Sequence, residues 1–267
     1  MKSKFILLLV AISTLFATSC GDKTETITPN LIAGEWFLHA PEQVEVDPDA
    51  PQPTPDVPVK DLFTYAPLTL DWKTDKTFAA MGDENTQWSG FEASVLATTI
   101  AGPMIMEEFT AVQFKDNGAI TATVIGVDGL PSVVEQNYAT YKIESESKLL
   151  VFVNLDAILT RVGMHDIMPL ITILTPYLEN GFPINYKIVN GVVTFSVNKE
   201  FILPIVKTIV PIVASLEVPA LKPDYSNMME VMMIQTVKAA LAEEVVNSTT
   251  MFDVLMSLKN TAPAIEK

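Results

Sequence analysis

Cysteine, arginine and histidine are almost missing from this chain. Its 267 residues include one cysteine, Cys20, one arginine, Arg161, and two histidines, His39 and His165. Each scarcity excludes something. With no cysteine after position 20, the body of the chain forms no internal disulfide and carries no thiol nucleophile. A lone arginine is too little for a phosphate or carboxylate clamp. Neither histidine has a histidine or carboxylate at i+4 in an HExxH-like spacing, and zinc needs three or four ligands. The sequence also lacks a Walker loop, a GxGxxG turn and a GxSxG elbow, which removes the usual nucleotide and serine-hydrolase signatures. Asp47 and Asp49 in "VDPDAP" are spaced like calcium ligands, without the later Gly and Glu of a calcium loop. The pairs Glu107–Glu108 and Glu243–Glu244 are adjacent, so their members do not share a helix face and read as solvated surface. His165–Asp166 is a conceivable acid/base pair, weighed against a surface or capping role. The expectation is no catalytic set, no metal and no cofactor.

Bases are scarce too: 17 lysines and arginines stand against 32 acids, a formal charge of −15. So acidic a surface repels nucleic acid and anionic headgroups, and a nucleic-acid partner is excluded. Long apolar runs are short of membrane length. The first, Phe5–Phe16, would reach ~18 Å as a helix, against a hydrocarbon core of ~30 Å. Later ones are interrupted by prolines and by Arg161, Asp166 and Lys207.

What is present begins with that first run. Lys2 and Lys4 precede it and small residues follow it up to Cys20, the layout of a secretory signal. Ala17, Thr18, Ser19 and Cys20 resemble the lipobox of bacterial lipoproteins, although Ala17 stands where that family usually has Leu. The resemblance implies a signal peptide at 1–19, cut before Cys20. It also implies lipidation of the Cys20 thiol and acylation of the new N-terminus. Two or three chains at ~0.8 kcal/mol per buried CH₂ hold firmly. The expected location is the cell envelope, lipid-anchored, on a periplasmic or surface-exposed face of the outer membrane. Cleavage would remove Lys2 and Lys4 and no acid, leaving 15 bases against 32 acids, or −17.

Residues 20–30 read as a polar tether, and 31–267 as a single α+β domain. Pro41, Pro48, Pro51, Pro53, Pro55 and Pro58, mixed with acids, favour polyproline II and predict a long exposed loop over 41–60. Around it lie strand signals. "LIAGEWFLHA" reads as a first strand, and Leu68–Asp71 with Thr77–Met81 as a hairpin. "TAVQFKDNGAITATVIGV" is a hairpin turning at Asn117–Gly118. "NYATYKIESESKLLVFVN" is another, and "INYKIVNGVVTFSVN" turns at Asn190–Gly191. Apolar segments of helical length occupy roughly 91–108, 155–179, 199–216 and 226–259. Prolines seven apart, Pro169/Pro176 and Pro204/Pro211, predict bent or divided helices, since an interior proline costs ~3 kcal/mol.

Gly34-Glu35-Trp36 on the first strand resembles the GxW start of lipocalins, whose Trp closes one end of an antiparallel barrel. Together with the lipobox and the Phe114–Gly118 turn, it is similar to lipoproteins of Bacteroidota. The arginine that lipocalins place near the last strand is missing. The expected fold is therefore a curved antiparallel sheet or partial lipocalin-like barrel built of hairpins, covered by kinked apolar helices mainly in the C-terminal half.

Mean hydropathy is positive, +0.31, so much aliphatic surface must be buried or must bind something. The leading expectation is a non-catalytic envelope lipoprotein that binds an apolar or amphipathic ligand, or a protein partner. Met228, Met229, Met232 and Met233 fit either core packing or an adaptable lid over an apolar pocket. The alternative is a surface glycan-binding or structural accessory lipoprotein. For that, Trp36, Trp72 and Trp88 are the available aromatic platforms, with Tyr65 and Tyr225 as helpers.

Overall fold

The computed structural model describes residues 31–44, 57–107, 109–125, 130–154, 175 and 177–263. The expected signal, Cys20 and the tether lie outside the described residues, as do Arg161, His165, Asp166 and most of the 155–179 segment. Along the chain run strands β1 (Gly34–Phe37), β2 (Glu42–Gln43), β3 (Phe63–Tyr65), β4 (Leu68–Thr74), β5 (Phe78–Ala80) and β6 (Asp83–Trp88). Helix α1 (Gly90–Met106) follows, then β7 (Phe109–Phe114), β8 (Ala119–Ile125), β9 (Pro131–Ser145), β10 (Lys148–Val153), β11 (Phe182–Val189) and β12 (Val192–Val197). Helices α2 (Lys199–Ala214), α3 (Met228–Ala240) and α4 (Glu243–Asn247) lead into the last strand, β13 (Thr249–Lys259).

Strands β7 to β13 form an unbroken antiparallel meander, and β1 pairs with both β7 and β13. Eight strands thus close into a barrel of the lipocalin-like, up-and-down kind, and closure removes the free edges an open sheet would present. The predicted turns are where the residues put them. Gly118 takes φ 83° between β7 and β8, while Asn190 (φ 50°) and Gly191 (φ 75°) join β11 to β12. Both Asn-Gly sites exploit the low cost of positive φ there.

Alternation assigns the barrel a sense. The short turns at 115–118, 146–147 and 190–191 share one end with the start of β1. The longer connections, 38–108, 154–181 and 198–248, leave from the other. At the first end Trp36 is buried, and its indole N–H donates to the Ile32 carbonyl at 2.8 Å. At the other, α2 lays Ile202, Ile205, Val206, Ile209 and Val213 into the barrel core, a stripe with the 3.6-residue period of one helix face.

Several expectations are corrected. Leu68–Asp71 and Thr77–Met81 do not pair with each other: β4 pairs with β13, and β5 with β6, a strand the sequence reading missed. The 226–259 segment is not helical throughout, because its last eleven residues are the final barrel strand. Of the bent or divided helix expected over 199–216, division is ruled out: α2 runs unbroken through Pro204 and Pro211. The expected loop at 41–60 is structured at its edges, with Glu42–Gln43 pairing to β3 and Val59 fully buried in a 3-10 turn, Val59–Leu62.

One joint holds much of this together. β13 outruns its closing partner: β1 meets it only at Phe37↔Lys259, and β4 takes residues 249–256 of the same edge. The outer edge of β4 then lies under α1. The Trp72 N–H donates to Ser94 Oγ at 2.9 Å and the Leu70 N–H to Thr98 Oγ1 at 3.1 Å, both hydroxyls being fully buried. Gly90 and Gly102 continue that four-residue spacing. A Cβ at Gly90 would lie 2.5 Å from the Trp72 carbonyl oxygen, and one at Gly102 would lie 2.6 Å from Pro67. Ser89 and Glu92 form a capping box that fixes where the helix starts.

Candidate functional site

Three regions compete to be the site: the barrel lumen, its helical end, and the surface of the 198–248 connection. The lumen is filled at the level of Phe114. That ring stacks on Phe195 from β12 (5.6 Å between centroids) and meets Tyr141 from β9 edge-on (5.2 Å). An eight-stranded barrel is just wide enough for its own side chains or one small ligand, and here aromatic rings from three strands meet across it. Nearer the helical end, Tyr177, Phe182 and Phe201 form a second aromatic cluster with centroids 4.8–5.8 Å apart. Phe201 belongs to α2, so the helix closes over the strands there.

The expected aromatic platforms are placed as follows. Trp36 is core. Trp72 is buried as well, stacked on Phe78 at 5.6 Å, with its indole N–H donating to Thr249 Oγ1 at 3.0 Å. Trp88 is half-buried beside them. Tyr65 is buried, its hydroxyl donating to the Ser257 carbonyl at 2.7 Å, and Lys259 Nζ lies 4.5 Å above its ring while bridging Glu42 at 2.6 Å. Burial raises the Tyr65 hydroxyl far above its ordinary value. This cluster of Tyr65, Lys259 and Glu42 ties the short β2–β3 pair to the point where β1 closes the barrel. Only Tyr225 among the five aromatics is well exposed, at 63%. The structure does not bring these residues together as a platform.

The methionines are different. Met228, Met229 and Met233 are 42%, 61% and 39% exposed, and Met232 is half-buried, while Val231 and Thr236 are the buried residues of α3. Val218, Leu221 and Tyr225 are exposed just before them. These six make up nearly half of the thirteen large apolar side chains that stand exposed among the described residues. Single exposed apolar residues are ordinary, but a concentration of them marks a contact surface. Met81, also exposed, adjoins the ridge: its backbone N–H donates to Thr236 Oγ1 at 2.8 Å.

The ridge is held in place from below. The buried Asn227 accepts the Lys222 N–H at 2.9 Å and donates to the Ala220 carbonyl at 3.0 Å. Lys238 Nζ donates to the Leu216 carbonyl at 2.6 Å. These bonds bend residues 216–227 into the N-terminus of α3 and present its methionines outward. The sequence reading singled out Met228, Met229, Met232 and Met233, and Tyr225 as a helper aromatic, but not Val218 or Leu221, which carry no periodic signal.

Charge gathers elsewhere. Asp71 on β4 stands directly opposite Asp253 on β13, and facing residues of an antiparallel pair point to the same side of the sheet. Burial raises the Asp71 carboxyl above its ordinary 3.8; the Val59 N–H, Lys73 and Lys60 oppose that, and Asp61 adds to it. Burial also raises Asp253, followed by repulsion from Asp71 and Glu200. Folded chains therefore bind these protons more tightly than unfolded ones. The pair's stabilising contribution is full below the unfolded value and is lost as pH rises through the raised folded values. Asp71→Asn should stabilise the protein at pH 7 by about 0.2–1 kcal/mol and match wild type below about pH 4. Thermal melts across pH 3.5–8 check this, and a destabilised variant at pH 7 would contradict it.

Among the described residues no three His, Cys, Asp or Glu side chains converge as metal ligands, and no helix is long and apolar enough to cross a membrane. No protein-family model, no curated protein and no solved structure matches the chain.

Proposed function

We propose that this chain is a lipid-anchored, non-catalytic cell-envelope protein that binds an apolar or amphipathic ligand, or a protein partner, through the Val218–Met233 ridge. The carrying observation is the concentration of exposed apolar side chains on a segment fixed by Asn227 and Lys238. The aromatic filling of the lumen turns the reading outward, away from a ligand enclosed by the barrel. The ridge belongs to a connection leaving the end opposite the entry of β1, so a tether at 20–30 would attach to the far end. The glycan-binding alternative loses support because Trp36 and Trp72 are buried.

Two measurements test the two halves. Cys20→Ala should release the protein from the membrane fraction, and retention there would remove the anchor. The Cys20→Ala chain should bind a fluorescent fatty-acid probe, and Leu221→Lys with Met229→Lys should weaken that binding about tenfold, or ~1.4 kcal/mol. Probe binding left intact in the double variant would move the site off the ridge.

A further inference from the structure

Four of the chain's 12 methionines fall within six residues, Met228, Met229, Met232 and Met233, and α3 carries them at its N-terminal end. We propose that their thioethers form a binding site for a soft monovalent metal ion, of the class Cu(I) or Ag(I), on the outer face of α3. The inference goes beyond the ridge's apolarity, because it uses the sulfur atoms and not the surface they cover.

The helix sets the geometry. Met228/Met232 and Met229/Met233 are i, i+4 pairs, and Met229/Met232 is an i, i+3 pair, so the four form one continuous patch with neighbouring Cβ atoms about 5–6 Å apart. A methionine side chain has three rotatable bonds and a polarisable sulfur, enough freedom to bring two or three sulfurs onto one ion. Three of the four side chains are substantially exposed, so no core packing has to be broken for the sulfurs to turn toward a ligand. Thioethers select soft ions such as Cu(I), whereas carboxylates and carbonyls suit Mg, Ca and Mn. An acidic chain, at −15 overall, attracts a cation. The fixed segment beneath α3, pinned by Asn227, limits the cost of ordering the site.

Binding involves no change of oxidation state, so no co-reactant is needed beyond the ion itself. The test uses the full chain in detergent with Cys20→Ala, which removes the only thiol. Titrated anaerobically with Cu(I) against a chromophoric chelator, it should withdraw the ion from the chelator. With Ag(I), the methyl resonances of Met228, Met229, Met232 and Met233 should shift while those of other methionines stay in place. Replacing all four by leucine keeps volume and apolarity but removes the sulfurs, and should weaken Cu(I) affinity at least about tenfold with far-UV circular dichroism unchanged.

The proposal is overturned if the parent chain fails to compete for Cu(I), or if the four-leucine variant competes equally well. The two readings of this surface separate cleanly. Leu221→Lys, which removes no sulfur, should weaken the fatty-acid probe and leave Cu(I) affinity intact. Equal loss of Cu(I) in Leu221→Lys would assign the effect to the ridge as a whole and not to the thioethers.

Discussion

Phe195→Ala should cost about 3–5 kcal/mol and lower Tm by about 6–20 °C in a domain of this size. Phe195 is 4% exposed and stacks on Phe114, which in turn meets Tyr141. These rings come from β12, β7 and β9, strands that are not neighbours in the barrel, so they touch across the lumen. Removing the Phe195 ring leaves a cavity beside Phe114, bounded by strands whose hydrogen bonds keep them from collapsing inward. The penalty therefore includes lost contact on every side as well as lost transfer free energy. Phe195→Leu should cost clearly less, because it keeps most of the volume. Calorimetric melts of both variants decide the matter. A Phe195→Ala loss within about 0.5 kcal/mol, the range of ordinary surface changes, would mean that the rings do not fill the lumen. That outcome would restore an enclosed ligand as the leading reading.

How far the sequence told this in advance differs from element to element, and the differences have physical causes. The turns at Asn117–Gly118 and Asn190–Gly191 were legible because positive φ selects those residues locally. The first strand was legible from Gly34-Glu35-Trp36, and the partial barrel the hairpins implied is in fact closed. β13 was not legible as a strand. In "FDVLMSLK" the inward residues Phe252, Val254, Met256 and Leu258 do alternate, but Leu255 on the outer face interrupts the polar set and makes the run look uniformly apolar. It also follows a true helix without a glycine or proline to mark the change. The pairing of β4 with β13 joins residues nearly two hundred positions apart, and no local pattern carries such a register. The candidate site was half legible. Four methionines in six residues are visible to any reader, yet whether they face the core or water depends on what covers α3, a property of the tertiary packing. In α3 the buried residues are Val231 and Thr236, and three of the four methionines stand exposed.

The second large effect concerns the same β4 edge. Ser94→Ala combined with Thr98→Val should destabilise the protein by about 2–6 kcal/mol, since each buried N–H left without an acceptor costs about 1–3 kcal/mol. In the folded chain the Trp72 N–H has Ser94 Oγ and the Leu70 N–H has Thr98 Oγ1, and both hydroxyls are fully buried. Water cannot replace them while α1 stays in contact, and α1 sits too close to admit it: a methyl group at Gly90 would already collide with the Trp72 carbonyl. The structure then has two choices, to keep two orphan donors or to lift the helix and wet the edge. Lifting would expose an unpaired strand, which promotes pairing with other chains. The expected signature is a lower Tm, faster hydrogen exchange at the Leu70 and Trp72 amides, and concentration-dependent aggregation on heating. Thr99→Val is the control, because its exposed hydroxyl bonds only to the Val95 carbonyl of its own helix, and it should stay within about 0.5 kcal/mol of wild type. If the double variant were as stable as that control, the hydroxyls would not be what satisfies the edge, and α1 would owe its position to the apolar contacts of Phe91 and Val95 with Val59 and Phe63 instead.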